Sequence, residues 1–173
     1  MVNDICEYVI ANPVPWQMES FYPEKIASQC KSRSLISVYQ TLYETYAAQQ
    51  QAGIWCCKSM ANLNYIPQIE QEGLSPIYVH LVRDGRDVAA SFKKTIVGER
   101  HIYHLAKQWV EEQHISEKFC HQLATERYVL ILYEDLIHDT ENTLCILCHK
   151  LGLTFSESAL RFYQGIQAKL TAE

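Results

Sequence analysis

With 173 residues, 48 % of them hydrophobic and 20 % charged, the chain is long enough to close a core and too apolar to be disordered or fibrous. Its formal net charge of −5 argues against a surface made to neutralise nucleic acid, so an anion bound here should be small and locally held. No stretch approaches the roughly 20 apolar residues of a membrane span, and MVNDICEYVI has no basic region leading into an apolar signal core, so the expected compartment is cytoplasmic.

The first half of the chain predicts helices. Asn3 is placed to cap a short one through Ile10, the run NPVP at 12–15 breaks it, and Pro23 stands where a first-turn proline would open PEKIASQC. In SLISVYQTLYETYAAQQ, Leu35, Val38, Tyr39, Leu42 and Tyr46 recur at three- and four-residue steps, which predicts an amphipathic helix with those side chains in the core. Gly53 ends that segment, and IWCC is an apolar run of strand length leading into Lys58.

Residues 61–72 read as helical around Pro67, and Gly73 with Pro76 marks a turn into IYVHLV. That run lacks polar alternation, which predicts a strand covered on both faces, and His80 within it reads as a core histidine with a satisfied ring. A helix over about 87–95, a long one over about 101–124 and a second buried strand, RYVLILY, follow. Strands alternating with helices indicate an α/β fold with a largely parallel sheet.

Seven cysteines, Cys6, Cys30, Cys56, Cys57, Cys120, Cys145 and Cys148, are an odd number set mostly among apolar neighbours, so reduced, buried thiols are expected. Cys145-Ile-Leu-Cys148-His149 has the spacing of c-type haem attachment. Leu144, Cys145, Leu147, Cys148 and Leu151 also form one apolar stripe on a helix, and this is the preferred reading, with neither haem nor a metal expected.

Between the first clear strand and its helix stands Arg83-Asp84-Gly85-Arg86-Asp87. In parallel sheets ligands bind beyond the carboxyl ends of the strands, and a helix N-terminus there offers unpaired N–H groups and the positive end of its dipole. Arg83 can add a bidentate fork, Ser91 a hydroxyl one turn into the helix, and Gly85 a close backbone bend. Asp84 and Asp87 would cap the helix or hold an arginine, since carboxylates repel a phosphate. The alternative is a solvated, salt-bridged turn without a ligand, and the residues alone leave both open.

Leu81-Val82-Arg83-Asp84-Gly85-Arg86-Asp87-Val88-Ala89-Ala90-Ser91 resembles the 3′-phosphate-binding signature of the sulfotransferases, Leu-x-Arg-(Asp/Asn)-(Pro/Gly)-x-Asp-x-x-x-Ser. Trp55-Cys56-Cys57-Lys58-Ser59 upstream, Ala106 to Trp109 in the long predicted helix, Tyr133-Glu134-Asp135-Leu136 downstream and Leu151-Gly152-Leu153 beyond it resemble further stretches of that family in the same order. The likeness covers about residues 34–160.

The resemblance implies a P-loop-like parallel sheet flanked by helices. It also implies transfer of a sulfuryl group from 3′-phosphoadenosine 5′-phosphosulfate (PAPS) to a hydroxyl or amine acceptor, a small molecule or peptide, without a metal. By resemblance Arg83 and Ser91 hold the 3′-phosphate, Tyr133 lies beside the adenine, and Lys58 is the catalytic residue near the 5′-phosphosulfate, where its charge offsets that of the transferring group. Ring packing for Tyr133 and a solvated surface position for Lys58 are the alternatives.

The family's first strand and phosphate loop, Pro-(Lys/Arg)-Ser-Gly-Thr-(Ser/Thr), have no counterpart, since the glycines stand at 53, 73, 85, 98, 152 and 165 and none follows Lys-Ser. The expectation is therefore a single sulfotransferase-like domain over 1–173, incomplete at both termini, an interior portion or shortened relative. The general base of the small-molecule branch, a histidine two residues after the lysine, is replaced by Met60, and His101 and His104 read as helix-surface residues rather than bases. A truncated, non-catalytic nucleotide-binding or partner module is the alternative function. A nucleotide kinase is disfavoured by the lack of a Walker lysine with its magnesium-binding Ser/Thr.

Overall fold

The computed structural model describes residues 1–11, 22–94 and 101–161, in two compact units, Met1–Ser75 and Pro76–Glu173. The first unit is helical among the described residues. Helices α1 (Val2–Ile10), α2 (Pro23–Gln29) and α3 (Leu35–Gln49) meet in one core, to which α1 gives Cys6, α2 gives Ile26 and α3 gives Val38 and Leu42. Pro23 opens α2, where its fixed φ suits a first turn and its missing N–H removes no bond. Ser34 caps α3, its hydroxyl accepting from the Ser37 N–H at 3.0 Å. The predicted helix breaker at 12–15 lies outside the described residues.

The core face of α3 lies slightly round from the predicted stripe. Val38 and Leu42 are buried, but Leu35 and Tyr39 are exposed and Ser37 and Thr41 are buried in their place. Both polar side chains can sit inside because both are hydrogen-bonded: Ser37 Oγ accepts from the Ser32 N–H at 3.1 Å, and Thr41 Oγ1 donates to the Ser37 carbonyl at 2.9 Å.

The strand predicted at IWCC does not form. No strand lies in this unit among the described residues, and the side chains of the segment are engaged locally. Trp55 stacks on Tyr43 with ring centroids 4.7 Å apart, and Cys57 Sγ accepts from Tyr43 Oη at 3.2 Å and from Asn62 Nδ2 at 3.5 Å. Burial, aided by the bond to Cys57, pushes the Tyr43 phenol above its ordinary value. A 3-10 helix (Met60–Tyr65), capped by Ser59, and α4 (Ile66–Gln71), with Pro67 in its first turn, follow before Gly73 turns the chain at φ +74°.

The second unit carries the sheet. Its elements are β1 (Tyr78–Val82), α5 (Gly85–Phe92), α6 (Ile102–Cys120), β2 (Tyr128–Leu132), α7 (Tyr133–His138) and α8 (Thr140–Lys150), with 3-10 turns at Thr125–Arg127 and Glu157–Arg161. β1 and β2 pair in parallel from Tyr78 opposite Tyr128 to Val82 opposite Leu132, an arrangement that needs the helical crossover between them. Arg127 fixes the start of the pair, donating to the Pro76 carbonyl from Nε at 3.1 Å and Nη2 at 3.0 Å. This is the predicted α/β arrangement of helices and parallel strands.

Coverage of the strands differs from the prediction. Val129 and Ile131 are buried, whereas Val79, Leu81, Leu130 and Leu132 are exposed, because the sheet has two strands among the described residues and their faces are only partly packed. His80 is half-buried with Nδ1 2.6 Å from Tyr128 Oη, and burial lowers its pKa from the ordinary 6.5. On α8, Leu144, Cys145, Leu147, Cys148 and Leu151 are all half-buried while Ile146 and His149 are exposed, the predicted stripe. All seven cysteines are free, but only Cys6 is buried and Cys56 is exposed. No helix among the described residues is long and apolar enough to cross a membrane.

Candidate functional site

The turn between β1 and α5 is built from its charges. Asp84 is the N-cap of α5, its Oδ1 accepting from the Arg86 N–H at 2.8 Å. Its carbonyl accepts from the Asp87 and Val88 N–H groups, both at 3.0 Å, so the first-turn amides expected to be open to a ligand are largely taken by Asp84. The same carboxylate clasps the Arg86 guanidinium, with Nε–Oδ1 at 3.0 Å and Nη2–Oδ2 at 2.6 Å. The hydrogen bonds from Arg86, side chain first and backbone second, hold the Asp84 carboxyl at about 2.

Arg83 is placed differently. Its guanidinium carbon sits 4.6 Å over the Tyr133 ring centroid, a cation–π distance. Its ion pair with Asp87 is long, 3.8 Å, and its Nε is enclosed with no hydrogen-bond partner among the described residues. The two arginines of the turn are thus unlike: the side chain of Arg86 is 91 % exposed but already paired, while that of Arg83 is 37 % exposed with donor capacity left over. An enclosed guanidinium nitrogen without an acceptor is costly, and an anion here would meet the open part of the same guanidinium rather than Nε itself.

Ser91 is exposed on α5 one helical turn beyond Asp87, the residue that pairs with Arg83. Gly85 was expected to permit a bend, yet its φ is not positive; its role is steric. A Cβ there would stand 3.1 Å from Trp109 Cδ2 and 3.2 Å from Trp109 Cε2, so the indole of α6 packs on the bare backbone at the start of α5.

Tyr133 opens α7, half-buried, and carries Arg83 on its ring. Its neighbour Glu134 was given no role by the sequence, although it accepts from the Asp84 N–H at 3.0 Å through Oε1. That bond, followed by one from its own backbone, holds the Glu134 carboxyl below the usual carboxylate range. The signal was its place beside Tyr133, readable only with the strand register in hand. Lys58 belongs to the first unit, where it is exposed in an irregular segment just before Ser59. His101 and His104 are exposed at the start of α6, ring centroids 5.4 Å apart. Among the described residues no group of three or more His, Cys, Asp or Glu is arranged to hold a metal ion.

Comparison with known proteins bears on the family and the fold. The model of the sulfotransferase family matches residues 15–157. Among solved structures, the chain is similar to the "Sulfotransferase Domain from the Curacin Biosynthetic Pathway" at 27 % identity and a TM-score of 0.55. The match covers 70 % of this chain and 45 % of that one, so the chain spans less than half of the length of the structure it resembles. No curated protein matches. A family match over most of its length, on a parallel strand pair with the charged turn and Tyr-Glu-Asp stretch side by side, makes this chain a member of the sulfotransferase family.

Proposed function

We propose that the chain serves sulfuryl transfer from PAPS to a hydroxyl or amine of a small molecule or peptide, with Arg83 and Ser91 holding the 3′-phosphate of the nucleotide. The observation that carries this reading is Arg83: an arginine at a strand end whose Nε is enclosed and unpartnered among the described residues, beside the N-terminus of α5. A phosphate would take its bonds from the open part of this guanidinium, whose side chain is 37 % exposed, and Ser91 can donate its hydroxyl to the same group. Family membership supports the choice of nucleotide.

PAPS when bound supplies the activated sulfuryl group. Tyr133 orders Arg83 through its ring and borders the adenine, and Lys58 offers a positive charge to the 5′-phosphosulfate. The family match runs through both units, which supports reading 1–173 as one sulfotransferase-like domain. A second reading is a truncated nucleotide-binding or partner module of the same fold that transfers nothing.

Calorimetric titration of adenosine 3′,5′-bisphosphate into the chain and into Arg83→Ala tests the site. Binding lost in the variant supports it, and no binding by the folded native chain overturns it. Incubation with PAPS and hydroxyl or amine acceptors then separates the two readings, since sulfated product supports the first and binding without product the second.

A further inference from the structure

The parallel register continues past the ends of the strands. Val82 pairs with Leu132, and the next residues meet in the same order, Arg83 over the Tyr133 ring at 4.6 Å and the Asp84 N–H on Glu134 Oε1 at 3.0 Å. The turn before α5 and the first turn of α7, 50 residues apart in sequence, are thereby fastened to one another by a cation–π contact and a charge-assisted hydrogen bond.

Glu134 acts on the turn at its most connected point. Asp84, the residue it holds, caps α5 and binds the Arg86 guanidinium with both carboxylate oxygens. Fixing the Asp84 backbone therefore fixes the carboxylate that occupies Arg86, and Arg83 is left as the arginine with an unpartnered nitrogen. Resting on the phosphate-site reading, we infer that Glu134 is a positioning residue that sets selectivity for the 3′-phosphate through Asp84, without touching the nucleotide. Its side chain does this by reach and by an acceptor oxygen, and a neutral amide of the same length serves as well.

The test compares affinities for adenosine 3′,5′-bisphosphate and adenosine 5′-monophosphate in the full chain. Glu134→Ala should weaken the bisphosphate about tenfold and leave the monophosphate within about twofold, the loss of one charge-assisted hydrogen bond felt only at the 3′ end. Glu134→Gln, which keeps the acceptor, should restore the native preference. Where Glu134→Ala does not fold, Glu134→Asp, which keeps the charge but shortens the side chain by a methylene, carries the same comparison. Equal weakening of both nucleotides, or an unchanged preference in the Ala and Asp variants, overturns the inference while the site stands. A native chain without preference for the bisphosphate, or an Arg83→Ala variant that keeps it, overturns the phosphate site itself and the inference with it.

Discussion

The indole of Trp109 lies directly on the backbone of Gly85, so close that any Cβ added there would stand 3.1 Å from Cδ2 of the ring. This joins α6 to the first residue of α5, and it ties the glycine of the charged turn to the tryptophan of the Ala106–Trp109 stretch by packing rather than by chemistry. Gly85→Ala gains at most about 1 kcal/mol of helix propensity, less at a first helical position, against about 1–3 kcal/mol for overpacking a ring. A net loss of about 1 kcal/mol in urea denaturation is expected. In a Trp109→Phe background the same substitution should be neutral, and a loss that persists there would mean that the indole is not its cause.

The two arginines of the turn should separate in binding. Arg83→Ala is expected to weaken adenosine 3′,5′-bisphosphate by about 100-fold or more, and Arg83→Lys by about tenfold because the charge remains without the fork. Ser91→Ala should cost about fivefold, one hydroxyl bond. Arg86→Ala should weaken binding less than Arg83→Ala, because that guanidinium is held by Asp84 and its loss acts only through the carboxylate it leaves uncompensated. Equal losses in the Arg83 and Arg86 variants, read by calorimetry, would reduce the site to general positive charge.

Acid should destabilise the chain in two windows. Burial keeps the folded-state pKa of His80 below the ordinary 6.5, so the unfolded chain takes up the proton first and stability falls as pH drops below about 6.5. The Asp84 carboxyl, held at about 2 against an ordinary 3.8 by Arg86, contributes stability that is full above about pH 4 and is lost as pH falls toward 2. Glu134 is shifted the same way. Thermal midpoints measured from pH 7.5 to 2 should show both declines; His80→Gln should remove the upper one and Asp84→Asn reduce the lower one, of which Glu134 keeps a share.

Thiol labelling should be ordered by exposure. Cys56 is expected to react first with a water-soluble disulfide reagent, and Cys6, fully buried with its thiol pushed up by burial, only on unfolding. Mass mapping after brief labelling checks this. Early modification of Cys6 would mean that the α1–α3 core opens readily in the native state.

Much of the architecture was legible because it is written in local chemistry. Pro23 and Ser34 mark helix starts that the structure keeps, and YVHLV and YVLIL are strands because their apolar, β-rich runs have few other uses. The Asp84 cap and its hold on Arg86 likewise follow from the residue types alone. What escaped depends on which partner a side chain takes, near in the chain or far along it. The IWCC run has strand composition, but Tyr43 and Asn62 capture its side chains; the face of α3 turned because Ser37 and Thr41 found hydrogen bonds inside. Glu134 could not be found without the register that sets it beside Asp84.

The bond between Asp84 and Glu134 also bears on the order in which the second unit assembles. It spans 50 residues, so the charged turn cannot reach its final form until the crossover through α5 and α6 has closed and β2 has docked along β1. A peptide of the turn alone, or a nascent chain released before β2, holds the motif without the geometry. Affinity for the nucleotide should therefore emerge in a single late step of refolding, together with the strand pair, and not with the earlier gain of helix.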